Sequence, residues 1–459
     1  MTSRRRFLGH TCKLGIAAAT ASSTLLSMGL ARTVAADTAE GYRALVCILL
    51  AGGNDSFNML VPNDSDQYAE YAAIRSDLAL ERSSLLALPG VTAQGRSYGL
   101  HPGMQEVQHL YASGELCLLA NVGTLVEQVD AQQIESGSAR VPVGLFSHSD
   151  QIAQWQTAVP DGRVAQGWGG RMADLLSGVN LANGISMNIS LGGTNLFQSG
   201  RQTVEYAISA EGDGATSINA YDDGSDFGAL RKRMIDDLLQ VSHSNVLRRE
   251  YARRLRASID AQAVFVSALQ ASTTPTTAFS ASPFSQSLRQ VARVIAAREA
   301  LGACRQTFFV QVGGWDHHDE VLDNQAGMLP AISRGLGEFR DALVELGVYS
   351  DVTTFTTSDF GRTLTSNGKG SDHGWGGHHV AMGGSVAGGQ IIGSYPLLST
   401  TSPLDVGRGI YIPTTSVDEY FAELALWFGV PASDLELVLP NVRGFYAPGS
   451  PERPLGFLG

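Results

Sequence analysis

TFFVQVGGWDHHDE, residues 307–320, starts as an apolar run and ends in a glycine pair, a tryptophan and a block of carboxylates and imidazoles. VTTFTTSDFGR, residues 352–362, has the same form, as does RALVCILLAGGND, residues 43–55. Buried runs that break at glycine into acids suit central strands of a parallel sheet, whose loops gather ligands at the strands' carboxyl ends. The fold expected is α/β, a three-layer, doubly wound, mostly parallel sheet.

Carboxylates and imidazoles crowd these strand ends. Asp55, Asp316, His318, Asp359 and His373 sit where loops can converge. Neutral imidazole with carboxylate is the ligand set of a divalent metal, here zinc, manganese or calcium, as one or two ions. Adjacent side chains of an extended segment point opposite ways, so one of His317 and His318 faces such a site, and His378 and His379 pose the same choice. The competing reading is a polar loop cluster whose histidines are satisfied by hydrogen bonds.

The amino terminus reads as a leader. Ser3-Arg4-Arg5-Arg6-Phe7-Leu8 matches the twin-arginine export pattern, and Val34-Ala35-Ala36 offers small residues for cleavage after Ala36. Residues 1–36 are therefore set apart from a domain spanning 37–459, with a periplasmic or secreted destination. The leader's alanine-rich stretch is too weakly apolar for a firm anchor, so no stable membrane insertion is expected after cleavage. Removing it takes away five cations and no acid, shifting the net charge from −12 to −17. That balance argues against nucleic acid, or anionic lipid, as the main partner. Cys47, Cys117 and Cys304 remain, a set too sparse for a disulfide framework.

Between the strand runs, Tyr68–Leu80 and the segment after His101-Pro102 look helical, and Glu115–Val122 reads as a second buried strand. Ser147 and Ser149 stand ahead of a helix carrying Ile152 and Trp155, placed either to cap it or to act as a nucleophile at its positive end. A helical insertion is expected at about 200–300, with Phe227–Leu269 as one long helix. Phe284–Leu301 is amphipathic, Val321–Leu346 is helical with Pro330 expected to kink or split it, and Val386–Ile392 suggests a short hairpin partner.

With LLAGGNDSFNMLVP (49–62), LFSHSDQ (145–151), GWGGRMAD (167–174), GGWDHH (313–318), TSDFGRT (357–363) and DHGWGG (372–377), the chain resembles domain-of-unknown-function family 1501. That family is placed in the alkaline phosphatase and sulfatase-like superfamily. The resemblance implies an alkaline phosphatase-like fold with metals at the strand ends, and hydrolysis of phosphate or sulfate esters, small or polymer-borne. Asp55 is similar to the superfamily's first-strand metal aspartate, Asp316 and His318 to the family's Asp-x-His, and His373 to a late metal histidine. At Asp359 the superfamily has Asp-His, but here Phe360 follows, which bears on the second metal. Ser147 falls in order at the nucleophile position, with Ser149 or Ser56 as alternatives, and Arg362 or Arg171 would neutralise ester oxygens. A serine-esterase reading of Gly53-Asn54-Asp55 fails, because no Asp-x-x-His near the end of the chain completes it. The reading from another class is a non-catalytic exported binding or assembly protein that keeps the hydrolase fold.

Overall fold

The computed structural model describes residues 41–459, apart from 93–94, 181–183, 213, 216–217, 219–220, 222 and 400. The leader expected over residues 1–36 lies outside them. Among the described residues nine strands form one sheet: β1 (Arg43–Leu50), β2 (Leu116–Gly123), β3 (Asn188–Ser190), β4 (Tyr206–Ala207), β5 (Arg305–Val312), β6 (Val352–Ser358), β7 (Gly377–Met382), β8 (Ile391–Gly393) and β9 (Thr415–Ser416). Their order is β8-β2-β7-β6-β1-β5-β3-β4, with β9 following β8 along the outer side of β2. Only β7 runs antiparallel, against β2 and β6. The chain is thus a three-layer α/β fold with a mostly parallel sheet.

Strand alternation sorts the core into two faces. On β1, Ala44, Val46, Ile48 and Leu50 enter one apolar cluster, and Leu45, Cys47 and Leu49 enter the other. Helices Gln105–Ala112, Pro283–Ala296 and Val321–Glu345 cover the first face; His148–Thr157, Trp168–Leu175 and Val417–Phe428 cover the second. Each leucine so enclosed contributes about 1.5–3 kcal/mol relative to exposure. The same alternation disposes of two histidines. On β7, His378 stacks on Tyr395 at 4.6 Å, and His379 lies against Trp155 at 4.8 Å on the other side. Burial pushes both imidazoles down to about 3, so both are neutral core groups.

Several expectations shift in detail. The helix over Val321–Glu345 runs through Pro330 without a break. Phe227–Leu269 is two helices, Asp226–Gln240 and Val246–Ala271, and the Asn245 side chain starts the second by accepting from the Arg248 N–H at 3.0 Å. The segment expected to form a hairpin near Val386–Ile392 instead supplies β8, parallel to β2.

Candidate metal centre

β1, β5 and β6 lie side by side, so the loops leaving Leu50, Val312 and Ser358 emerge together at one end of the sheet. Gly52 and Gly53 make the crowding possible. Both have positive φ, 123° and 84°. A Cβ on Gly52 would meet the Asp316 backbone nitrogen at 2.5 Å, and one on Gly53 would meet the Phe360 ring at 2.5 Å. The freed Gly52 N–H donates to Asp359 Oδ1 at 2.9 Å.

A two-stranded ribbon, Arg362–Ser366 with Ser371–His373, brings His373 over these loops. The helix His148–Thr157, entered after β2, supplies His148. His148, Asp316 and His373 offer ligand atoms that all lie within 4.8 Å of one another. His318 adjoins them, with Nε2 3.1 Å from Asp316 Oδ1 and 2.9 Å from His373 Nε2. His148 Nε2 is 3.4 Å from Asp316 Oδ2.

The outer contacts fix how the rings present themselves. His373 Nδ1 lies 2.8 Å from the Phe146 carbonyl, which can only accept, so the proton is on Nδ1 and the lone pair on Nε2. Phe146 turns that carbonyl inward from a left-handed backbone, φ 73°. His318 Nδ1 lies 3.1 Å from Asp372 Oδ1. A hydrogen bond from Asn367, then Arg408 and His318, hold the Asp372 carboxyl down at about 2, so it accepts. His148 Nδ1 faces Asp359 Oδ2 at 2.7 Å, which leaves its Nε2 toward Asp316. Burial raises the Asp359 carboxyl against the opposing pull of the Gly52 N–H and His148.

In neutral rings, two imidazole lone pairs then face each other at 2.9 Å beside a carboxylate. Such a cluster calls for a shared proton or a cation. Imidazole nitrogen and carboxylate oxygen converging from separate loops fit a zinc- or manganese-type ion, so the residues present suit the metal the sequence suggested.

Arg362 sits beneath, its side chain fully buried. It donates from Nε to the Gly53 carbonyl at 2.9 Å, and from its terminal nitrogens to the Gly52 and Ser371 carbonyls at 2.6 and 2.9 Å, and to Asp316. Burial works against the charged form of Asp316, and the Arg362 guanidinium outweighs it, keeping the carboxyl below its usual range.

Of the residues singled out from sequence, the structure brings together Asp316, His318, Asp359 and His373. It does not bring Asp55 to them. Asp55 is fully buried, paired with Arg75 at 2.8 Å, and accepts from Ser371 Oγ at 2.6 Å. Arg362 faces inward to backbone carbonyls and Asp316, and Arg171 donates to the carbonyls of Thr157, Gln166 and Val438. Ser147 is the N-cap residue of the helix bearing His148, makes no side-chain capping bond, and lies 3.2 Å from Ser149 Oγ. Ser56 is buried, its hydroxyl accepting from the His378 N–H at 2.9 Å. His317 is buried, and burial, then the Arg362 guanidinium, pushes its imidazole down. His148 was missed, although it lies within LFSHSDQ, one of the stretches that carry the family resemblance.

The profile of the family described as protein of unknown function (DUF1501) matches residues 42–434, and the chain belongs to that family. No curated protein matches it. Among solved structures, the chain is similar to Ps i-CgsB in complex with k-i-k-neocarrahexaose, at 9% identity and a TM-score of 0.33, covering 87% of this chain and 74% of that one. It is similar to the lipoteichoic acid synthase LtaP from Listeria monocytogenes at 8% identity and a TM-score of 0.28, over 83% and 82% of the two chains. For a mutant of the alkaline phosphatase PafA the values are 13% and 0.23, over 70% of this chain and 64% of that one.

Proposed function

We propose that this member of the DUF1501 family is an exported, metal-dependent hydrolase of phosphate or sulfate esters, with an alkaline phosphatase-like arrangement of its site. The observation that carries the reading is the approach of His318 Nε2 to His373 Nε2 at 2.9 Å, beside Asp316 Oδ1 and with both Nδ1 atoms engaged elsewhere. His148, Asp316, His318 and His373 would hold the ion. A divalent metal there would supply charge to polarise the ester oxygens. Asp359 orients His148, while Arg362 positions Asp316 and the two glycine carbonyls.

Ser147 is the nucleophile this reading favours, next in the chain to His148 and at a helix amino terminus, where developing negative charge is stabilised. Wild type and Ser147→Ala would be assayed on aryl phosphates and aryl sulfates with zinc, manganese or calcium added. Expected is weak, metal-dependent turnover that falls about 100-fold or more in the variant. Because Ser147 makes no side-chain capping bond, the stability change should stay under about 1 kcal/mol. Activity surviving in Ser147→Ala would move the nucleophile to Ser149, to Ser56 or to a metal-bound water. No turnover in wild type with any metal would favour the binding-protein reading. Phe360 supports that second reading: its ring packs 4.6 Å from His373 and 4.8 Å from His148, where a second imidazole ligand was expected from the superfamily.

The export reading rests on the sequence from Ser3 to Leu8 and on Ala36. Arg4→Lys with Arg5→Lys should hold the precursor in the cytoplasm, measured by fractionation. Normal export of the double variant would sink this part of the reading.

A further inference from the structure

A turn far along the chain reaches the same cluster of imidazoles and carboxylates. Asp405 and Tyr411 pair as an antiparallel bridge, and between them Gly407, Arg408 and Gly409 are consecutive left-handed residues, with φ 111°, 61° and 71°. Asp405 Oδ1 holds this tip by accepting from the Gly407 and Gly409 N–H groups at 2.8 and 3.0 Å. The tip is fastened to the ribbon strand Arg362–Ser366. There the Leu364 N–H donates to the Gly409 carbonyl at 2.9 Å, and Thr365 Oγ1 donates to the Arg408 carbonyl at 2.7 Å. A Cβ on Gly409 would meet Leu364 Cβ at 2.5 Å. Glycine suits such a backbone and arginine does not, so the surroundings hold Arg408 in a conformation it would not choose. Its side chain is explained by what it touches.

It touches Asp372. A terminal nitrogen of the Arg408 guanidinium donates to Asp372 Oδ2. Asp372 Oδ1 accepts from Asn367 Nδ2 and faces His318 Nδ1, each at 3.1 Å. The two carboxylate oxygens are thus split between the turn and the imidazole. Stability is a poor account of the pair, because Arg408 is 58% exposed and an ion pair so open to solvent contributes little. Direction is the better account: with Oδ2 tied to the turn, Oδ1 is turned to the ring. His318 needs that support more than its neighbours do. Its side chain is 45% exposed, and it stands outside the tight group of His148, Asp316 and His373. His373 is held by the Phe146 carbonyl and His148 by the buried Asp359, whereas the partner of His318 is a carboxylate itself partly open to solvent.

We infer that Arg408 is a positioning residue, acting through Asp372 to aim His318 Nε2 at the metal and so to make His318 the fourth protein ligand. The inference rests on the metal centre proposed above.

The test is calorimetric titration of zinc into the full chain, as wild type, Arg408→Gln, Arg408→Lys, His318→Ala, and Arg408→Gln combined with His318→Ala. Expected is a loss of about tenfold in zinc affinity for Arg408→Gln, the usual effect of removing a partner outside the ligand set. Arg408→Lys keeps a cation for Asp372 Oδ2 and should recover most of that loss. His318→Ala should cost at least as much, and adding Arg408→Gln to it should cost nothing further, because residues that act through one ligand are not additive. Without metal, wild type and Arg408→Gln should melt together. Equal zinc affinity in wild type and Arg408→Gln overturns the inference and leaves the metal centre standing. Losses that add in the double variant, or a lower melting temperature of metal-free Arg408→Gln, also overturn it, since either gives Arg408 a structural role independent of His318. A wild type that binds no zinc overturns the proposed function and this inference together.

Discussion

His148→Ala is expected to weaken zinc or manganese binding by about 100-fold or more and to abolish any turnover that depends on it. His148 contributes one of three ligand atoms within 4.8 Å of one another, while its side chain is one-third exposed, so the fold should survive its loss. Asp359→Asn provides the graded comparison. Asp359 does not belong to the three-residue group and touches His148 through Nδ1 at 2.7 Å. Removing its charge should loosen metal about 10- to 100-fold, the usual effect of an outer partner that orients a ligating imidazole. Calorimetric titration of each variant checks the order. Equal affinities in wild type and His148→Ala would remove His148 from the site, and a larger loss in Asp359→Asn than in His148→Ala would make Asp359 the ligand.

The largest stability effect should come from Asp55 and Arg75. Both side chains are 0% exposed and pair at 2.8 Å, and Arg75 also donates to the carbonyls of Thr363 and Leu364. Removing one partner leaves the other as an uncompensated buried charge, which costs about 3–5 kcal/mol. Asp55→Ala and Arg75→Met should each lower the unfolding free energy by that order, read from denaturant titration. The double substitution should cost clearly less than the two singles added together, since it leaves no charge stranded. The loss should be the same with chelator as with metal, because Asp55 Oδ2 is held by Arg75 and Ser371 Oγ away from the His148–Asp316–His373 group. A loss that appears only with metal bound would restore Asp55 to the ligand set.

These two cases mark where the sequence was legible. Asp316 and Asp359 could be read because each ends an apolar run, and a parallel sheet must place such ends together. His318 and His373 followed from their place beside those ends. His148 did not, because a histidine between two serines ahead of a helix looks like capping sequence, and the approach to β5 and β6 is made in space. Asp55 was misleading for a related reason. It ends the same kind of run as Asp316, but its partner Arg75 lies on helix Ser65–Arg75, where an arginine in the last turn ordinarily suggests a solvated end. Arg362 was read as a substrate contact, yet Gly52 and Gly53 lack side chains and expose carbonyls that draw its guanidinium inward. The hairpin at 226–271 was read as one helix because its apolar period continues across Ser242–Asn245; the Asn245 cap is a local event that the longer pattern conceals.

The most direct measurement is the metal content of wild-type protein purified without chelator, followed by a melting curve with and without chelator. Expected is about one divalent ion per chain, zinc or manganese before calcium, and a clear fall in melting temperature when it is stripped, since a ligand bound only by the folded state stabilises it. A chain that carries no metal, takes none up on titration and melts identically in chelator would contradict the metal centre and, with it, the proposed hydrolase.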